Sequence, residues 1–389
     1  MHSPFTIEQS ARIAFGHGRL TSLADDIAAL IGARARVLLI TDRGVAGAGL
    51  VDRALKVLAA GGIKPTLFAA LDGEPQADQI DQAAALGRAH RAQIVVGLGG
   101  GSALDLAKLA AAIMPAHAPS ETYALCARPL PANPPPVICI PTTAGTGAEV
   151  TRTAVFTDGC GRKVWAWDDA LRPGLALLDP VLTTSLPPAI TAMSGLDALV
   201  HAIEAATSRR SNPISQAYAL RAVRMIVGHL PTVVERPDDA EARAAMLVAA
   251  NLAGLAIDGA GTCFAHALGH ALGTIAKVPH GRAVALALRV ALGWNVEAAP
   301  EPYRPVAEAL GIEPTGDAQV LAAKLANRYA RLLEQVGLKV ELSDVAAIDA
   351  VHLLDVLFAP ENRPMRQANR RRVTRAAARH LIQDLLAVA

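Results

Sequence analysis

Residues 93–114 read QIVVGLGGGSALDLAKLAAAIM, and their order decides the fold class. QIVVG is an apolar, β-branched run of strand length, and ALDLAKLAAAIM is built from strong helix formers. Between them the glycines let backbone N–H groups approach phosphate oxygens, whose negative charge the helix N-terminus favours. Gly99, Gly100, Gly101 and Ser102 are therefore candidates for holding a pyrophosphate, although the same run taken alone would serve as a tight turn.

Working outward, the same alternation recurs. Residues 36–40 (RVLLI) form a strand-like run closed by Thr41 and Asp42, followed by the helical AGLVDRALKVLAAGG at 48–62. Residues 65–70 are a second strand, 77–91 a second helix, and 136–141 (PVICIP) and 176–180 (ALLDP) further strands. Alternating strands and helices imply a parallel sheet. Asp42, at a strand end, can accept hydrogen bonds from both hydroxyls of an adenosine ribose and repel a 2′-phosphate, favouring NAD over NADP, or it can cap the next helix. PTTAGTGAEVT at 141–151 offers small hydroxyl residues for close approach to nicotinamide, or is simply a polar loop.

Leu182, Thr183 and the pair Pro187-Pro188 mark a break. Residues 1–184 are expected to be an α/β dinucleotide-binding domain and 185–389 an all-α domain. Helical stretches recur at 190–206, 213–230, 241–256, 263–275, 281–294, 318–336 and 372–388, with Pro213, Gly228, Pro231, Gly311 and Gly337 at their expected ends.

Across 389 residues, 52% hydrophobic and 19% charged side chains describe a well-packed globular protein. A formal charge of +2 points to neither nucleic acid nor a membrane surface, so a small molecule is the expected ligand. The N-terminal MHSPFTIEQSARIAFGHG lacks a signal-peptide pattern, and no stretch reaches the roughly 18 apolar residues of a membrane span. A cytoplasmic protein is expected, with Cys126, Cys139, Cys160 and Cys263 as free thiols.

The helical half carries a cluster of metal-ligand types. Residues 254–281 read GLAIDGAGTCFAHALGHALGTIAKVPHG, with His266, His270 and His280, and residues 195–205 read GLDALVHAIEA, with Asp197 and His201 four apart on one helix face. A lone histidine on an apolar helix is ordinarily a satisfied core residue. Burying several imidazoles and a carboxylate without partners would cost kilocalories each, and a shared cation removes that problem. Pro279 and Gly281 suggest a turn that aims His280. Imidazoles with one carboxylate suit Fe²⁺ or Zn²⁺, and the lack of thiolates argues for a catalytic site over a structural zinc.

These segments resemble the iron-containing (group III) alcohol dehydrogenases. The matching runs are GGGSALDLAK, PTTAGTGAEVT, LLDPVLT, SGLDALVHAIEA and HALGHALGTIAKVPHG, which occur in family order across most of the chain. The resemblance implies a Rossmann-like N-terminal domain, an α-helical C-terminal domain of the dehydroquinate synthase-like fold, and a cleft between them. It places the metal on Asp197, His201, His266 and His280, and puts His270 near the nicotinamide as a proton relay. It also implies cofactor contacts from Asp42, Gly99, Gly100, Gly101, Ser102 and Asp105, with Thr142, Thr143, Thr146, Lys163 and Leu182 around the ribose and nicotinamide.

The implied activity is hydride transfer between NAD(H) and a metal-bound small alcohol or aldehyde by a homodimer or larger homo-oligomer. Reduction of an acidic aldehyde or oxoacid is an alternative, and a lyase or metal hydrolase a more distant one. Where the family often has N-P-R-x-x-T, this chain has MRQANRRRVT at 365–374. Arg366 could face the cleft and recognise an anionic tail, or the run could be a solvated basic face. Cys263 and Phe264 are expected at the pocket wall, and Trp165 and Trp167 on a sheet face.

Overall fold

The structure, a computed structural model, describes residues 4–6, 11–32, 34–345 and 347–387. It divides into two compact units, one of Gln9–Thr143 with Gly147–Ser185, the other chiefly of Leu186–Ala389 with Ala144–Thr146.

The first unit alternates as β1 (Arg12–Phe15), α1 (Leu23–Ile31), β2 (Val37–Asp42), α2 (Arg43–Gly47), α3 (Leu50–Ala60), β3 (Thr66–Leu71), α4 (Ala77–His90), β4 (Ile94–Gly99) and α5 (Gly101–Ile113). It ends with β5 (Val137–Pro141), the hairpin β6 (Thr153–Thr157) and β7 (Lys163–Trp167), and β8 (Leu175–Leu178). Six strands form one parallel sheet in the order β1-β8-β5-β4-β2-β3. Its central strands are buried on both faces, which is why they read as continuous apolar runs. Alternate residues separate cleanly: Leu38, Ile40 and Val95 face the core shared with α4 and α5, while Leu39, Val96 and Ile138 face the one shared with α1 and α3. At Gly97 a Cβ would lie 2.8 Å from that of Ala107, so only glycine lets α5 pack this closely on β4.

Two strand features escape the sequence. β1 is a short edge strand with only partly covered side chains, so it leaves no apolar run. The β6–β7 hairpin mixes threonine and lysine with tryptophan; Trp165 and Trp167 lie on it as expected, with Trp167 exposed beneath the Arg152 guanidinium. β4 also runs through Gly97 to Gly99, so the glycine-rich stretch begins inside the strand.

The second unit contains α6 (Pro188–Thr207), α7 (Pro213–Glu235), α8 (Ala240–Ala260), α9 (Phe264–Ala276), α10 (His280–Ala298), α11 (Arg304–Ala309), α12 (Ala318–Gln335), α13 (Ala350–Leu357), α14 (Arg363–Ala368) and α15 (Arg375–Leu386). Side-chain caps from Asn212, Asp239, Asp317, Asp349 and Thr374 fix five of these starts. Two expected breaks are absent: α7 passes through Gly228 and Pro231 to Glu235, its packing against α6 and α8 outweighing the lost N–H. Gly311 and Gly337 do follow helix ends, each with positive φ. α8 is, among the described residues, the one helix long and apolar enough to cross a membrane, but Ala242, Met246, Ala249 and Ala253 bury one face of it in the helical core.

α6 is the axis of this unit, buried almost without interruption from Gly195 to Thr207. Glycines let its neighbours close on it. A Cβ at Gly195 would lie 2.3 Å from Leu230 of α7, and one at Gly281 would lie 2.3 Å from the Met193 carbonyl oxygen. The second approach corrects the expectation for His280: it is the first residue of α10, not part of a free turn, and Gly281 permits helix contact instead of a bend.

Candidate active site

Asp197, His201 and Glu204 follow one another on α6 at spacings of four and three, so all three project from one buried face. His266 sits in the first turn of α9 and His280 opens α10. Ligand atoms of Asp197, His201 and His266 all lie within 4.8 Å of one another. Asp197 Oδ1 is 3.9 Å from His201 Nε2 and 3.5 Å from both His266 Nε2 and His280 Nε2. Bonds near 2.1 Å to a tetrahedral cation separate neighbouring ligand atoms by roughly 3.4 Å, so these gaps suit a shared ion better than direct hydrogen bonds.

Burial sharpens the point. Asp197 Oδ1 and His266 Nε2 are buried and have no hydrogen-bond partner. A carboxylate and an imidazole left so would each cost on the order of 1–3 kcal/mol or more, and a cation ligated by both removes the penalty. Burial would raise the Asp197 carboxyl, but His201, His280 and His266 hold it well below the usual range. His201 is pushed down to about 4, chiefly by burial. His266, equally buried, is instead pushed up to about 9, because Glu204 and Asp197 outweigh the desolvation. Oxygen and nitrogen donors without a thiolate suit divalent iron or zinc.

Glu204 was not singled out by the sequence reading, although its place one turn beyond His201 was a signal for it. Its carboxylate accepts from the Cys263 N–H at 2.7 Å and the Ala265 N–H at 2.6 Å, and lies 2.6 Å from His266 Nδ1. His270 is buried one turn after His266, its ring 5.3 Å from that of His280. Cys263 and Phe264, expected at a pocket wall, are fully packed, Phe264 against Trp294 at 5.9 Å.

In the first unit the structure brings part of the expected cofactor set together. Gly100 caps α5 and Gly101 opens it, with Ser102 next. The Thr142 N–H donates to the Gly99 carbonyl at 2.9 Å, and a Cβ at Gly100 would touch Thr143, so the glycine and threonine loops abut. Asp42 Oδ1 accepts from the Val45 N–H at 2.8 Å, capping α2, while Oδ2 lies 2.7 Å from where a Cβ on Gly99 would be. Capping and proximity to the loop thus coexist in one carboxylate.

The remaining residues have other partners. Asp105 accepts from the Val155 N–H and pairs with Lys108 at 2.9 Å. Lys108, fully buried, also donates to the carbonyls of Ala148, Thr151 and Thr153, pinning the segment that follows the threonine loop. The Lys163 ammonium pairs with Glu74, and Leu182 is fully buried in the core behind the sheet. Thr146 belongs with the helical unit, beside Gly145, where a Cβ would lie 2.9 Å from the Ser194 carbonyl oxygen of α6.

The basic run has structural partners within the fold. The Arg366 guanidinium stacks on Phe358 at 4.3 Å and donates to its carbonyl. Arg370 donates to the Thr207 and Ser208 carbonyls at the end of α6, and Arg371 to that of Trp294. Arg209 returns the contact, donating to the Asn369 and Arg370 carbonyls. These cations answer the partial negative charge of helix C-termini.

Comparison with known proteins agrees with the geometry. Residues 10–180 match the family model "Iron-containing alcohol dehydrogenase" and residues 191–384 that of "Fe-containing alcohol dehydrogenase family, C-terminal". The chain is 35% identical to choline dehydrogenase of Bacillus subtilis (82% of this chain, 80% of the relative) and 33% identical to sulfoacetaldehyde reductase of Bilophila wadsworthia (86% of each). Among solved structures it is similar to a 1,3-propanediol oxidoreductase, with TM-score 0.90 and 29% identity over 98% of this chain and 100% of that one. It is also similar to a sulfoacetaldehyde reductase from Bifidobacterium kashiwanohense in complex with NAD+, with TM-score 0.89 and 29% identity over 100% of both chains. With both family models matched in succession along it, the chain belongs to the iron-containing alcohol dehydrogenase family.

Proposed function

We propose that this protein interconverts a small, uncharged alcohol and its aldehyde with NAD(H), using divalent iron held by Asp197, His201, His266 and His280. The observation that carries this reading is the pair of buried atoms Asp197 Oδ1 and His266 Nε2, which lack hydrogen-bond partners and face the other two imidazoles. A bound cation there supplies a Lewis acid for a carbonyl or alkoxide oxygen. Residues 1–184 serve as the cofactor domain and residues 185–389 as the metal domain.

Gly99, Gly100, Gly101 and Ser102 hold the pyrophosphate with backbone N–H groups, and Thr142, Thr143 and Thr146 orient the nicotinamide half. Asp42 accepts from the adenosine ribose hydroxyls and repels a 2′-phosphate, which selects NAD. His270, beside the ligand imidazoles but outside the ligand set, passes the alcohol proton toward solvent. Asp105, Lys163 and Leu182, engaged with other protein groups, position the surrounding segments. The reading includes a homo-oligomer, as the family resemblance suggests, acting in the cytoplasm.

The choice of an uncharged substrate is supported by the arginines of the basic run, since Arg366, Arg370 and Arg371 each donate to a carbonyl within the fold. The test is NADH oxidation by protein stripped of metal and reloaded anaerobically with Fe²⁺, assayed with neutral short aldehydes and their carboxylated or sulfonated counterparts. Metal-dependent turnover that favours the neutral set is expected. Preference for the acidic set would overturn the substrate assignment, and no oxidation with any metal would overturn the whole reading.

A further inference from the structure

Every long helix start in the second unit but three has a side-chain cap, and α9 is one of the exceptions: Cys263 occupies its cap position, and its thiol donates to the Glu204 carbonyl instead of accepting from a helix N–H. Glu204 supplies the missing acceptor from α6. Its Oε1 accepts from the Ala265 N–H at 2.6 Å and its Oε2 from the Cys263 N–H at 2.7 Å. Oε2 also meets His266 Nδ1 at 2.6 Å, a distance of the charge-assisted kind. The carboxylate is itself buried.

We infer that Glu204 is a positioning residue for the metal centre: it caps α9 and fixes the proton of His266 on Nδ1, so that Nε2 presents its lone pair beside Asp197. The inference rests on the metal-site reading above. An imidazole has two ring nitrogens of similar basicity, and only a partner on one of them selects which faces a metal. Here the far nitrogen is the one at 3.5 Å from Asp197 Oδ1. Rotating the ring or moving the proton would present an N–H where a ligand is needed. Because the same oxygens hold the N–H groups of the cap residue Cys263 and of Ala265 in the first turn of α9, the helix cannot shift along its axis without breaking the contact that orients its ligand. Glu204 also adds a second negative charge behind the ligand set, which raises the donor strength of His266.

The experiment uses Zn²⁺-loaded protein labelled with ¹⁵N-histidine, together with chelator-competition measurement of Zn²⁺ affinity in the parent, Glu204→Gln and Asp197→Asn. In the loaded parent, the His266 Nδ1 is expected to carry a slowly exchanging, strongly deshielded proton. Glu204→Gln keeps the size of the side chain but loses its charge and one acceptor; it is expected to weaken Zn²⁺ binding about 10- to 100-fold and to speed exchange of that proton. A His266 Nδ1 without a proton in the loaded parent, or a Glu204→Gln affinity within about twofold of the parent, would overturn the inference. The parent spectrum decides alone if the variant does not fold. Asp197→Asn separates this outcome from failure of the underlying reading: if it binds Zn²⁺ as tightly as the parent, the metal site itself is wrongly assigned.

Discussion

The two units present their chemistry in opposite ways. On α6, α9 and α10 the candidate site is made of side chains, Asp197, His201, Glu204, His266 and His280, projected from helices and all buried except the partly exposed His280. Around β4 and β5 the candidate site is made of backbone, the glycines and threonines at the strand ends, with Asp42 the principal charged group beside them. A site of the first kind is specified by residue type and tolerates almost no substitution of type. One of the second kind is specified by conformation and close approach, so it tolerates changes of type wherever the backbone path survives.

The widest separation of the two is expected from Asp197→Ala. Removing the one carboxylate that faces all three imidazoles should abolish stoichiometric iron and, with it, a Lewis-acid contribution of several kcal/mol, lowering kcat/KM by about a thousandfold or more. NADH affinity, measured by fluorescence titration, should stay within about twofold because the residues proposed to hold it, Thr146 excepted, lie in the other unit. Iron content equal to that of the parent would refute the ligand assignment, and a parallel loss of NADH binding would refute the division of labour.

Gly281→Ala is expected to show that the side-chain site has a backbone requirement of its own. Its Cβ would meet the Met193 carbonyl, which is helix backbone and cannot rotate away. Separating α10 from α6 should destabilise the protein by about 1–3 kcal/mol and carry His280 away from Asp197. Thermal melting and iron affinity should therefore fall together. A variant with an unchanged melting temperature would mean that the two helices can separate without strain.

How much of this was legible in the sequence follows the same contrast. The alternation of strands and helices and the Asp197, His201 and His266 positions were readable, because period and ligand type are properties of the letters. Glu204 was overlooked because a glutamate on a helix is ordinarily a solvated charge, and only the packing of α9 against α6 shows which donors reach it. Gly281 read as a turn because glycine's two uses, bending and close approach, leave the same letter. The arginines at 366–371 read as a basic patch, since the carbonyls that Arg370 and Arg371 answer come from residues far away in sequence. Edge strand β1, exposed and four residues long, carries too little apolar pattern for any period to emerge.

The smallest effect is expected at Asp42, where the two kinds of site meet in one side chain. Its Oδ1 caps α2 while Oδ2 lies at Gly99, so Asp42→Ala removes both a cap and a charge. Loss of the cap should cost about 0.5–2 kcal/mol, visible as a modest drop in melting temperature. Loss of the charge should weaken NADH and relieve repulsion of a 2′-phosphate, narrowing the NADH-over-NADPH preference about tenfold. Asp42→Asn keeps an acceptor for the Val45 N–H but not the charge, so it should restore stability and leave the preference narrowed. If both variants lose stability equally and neither changes the preference, Asp42 acts only through α2, and the cofactor site depends on backbone alone.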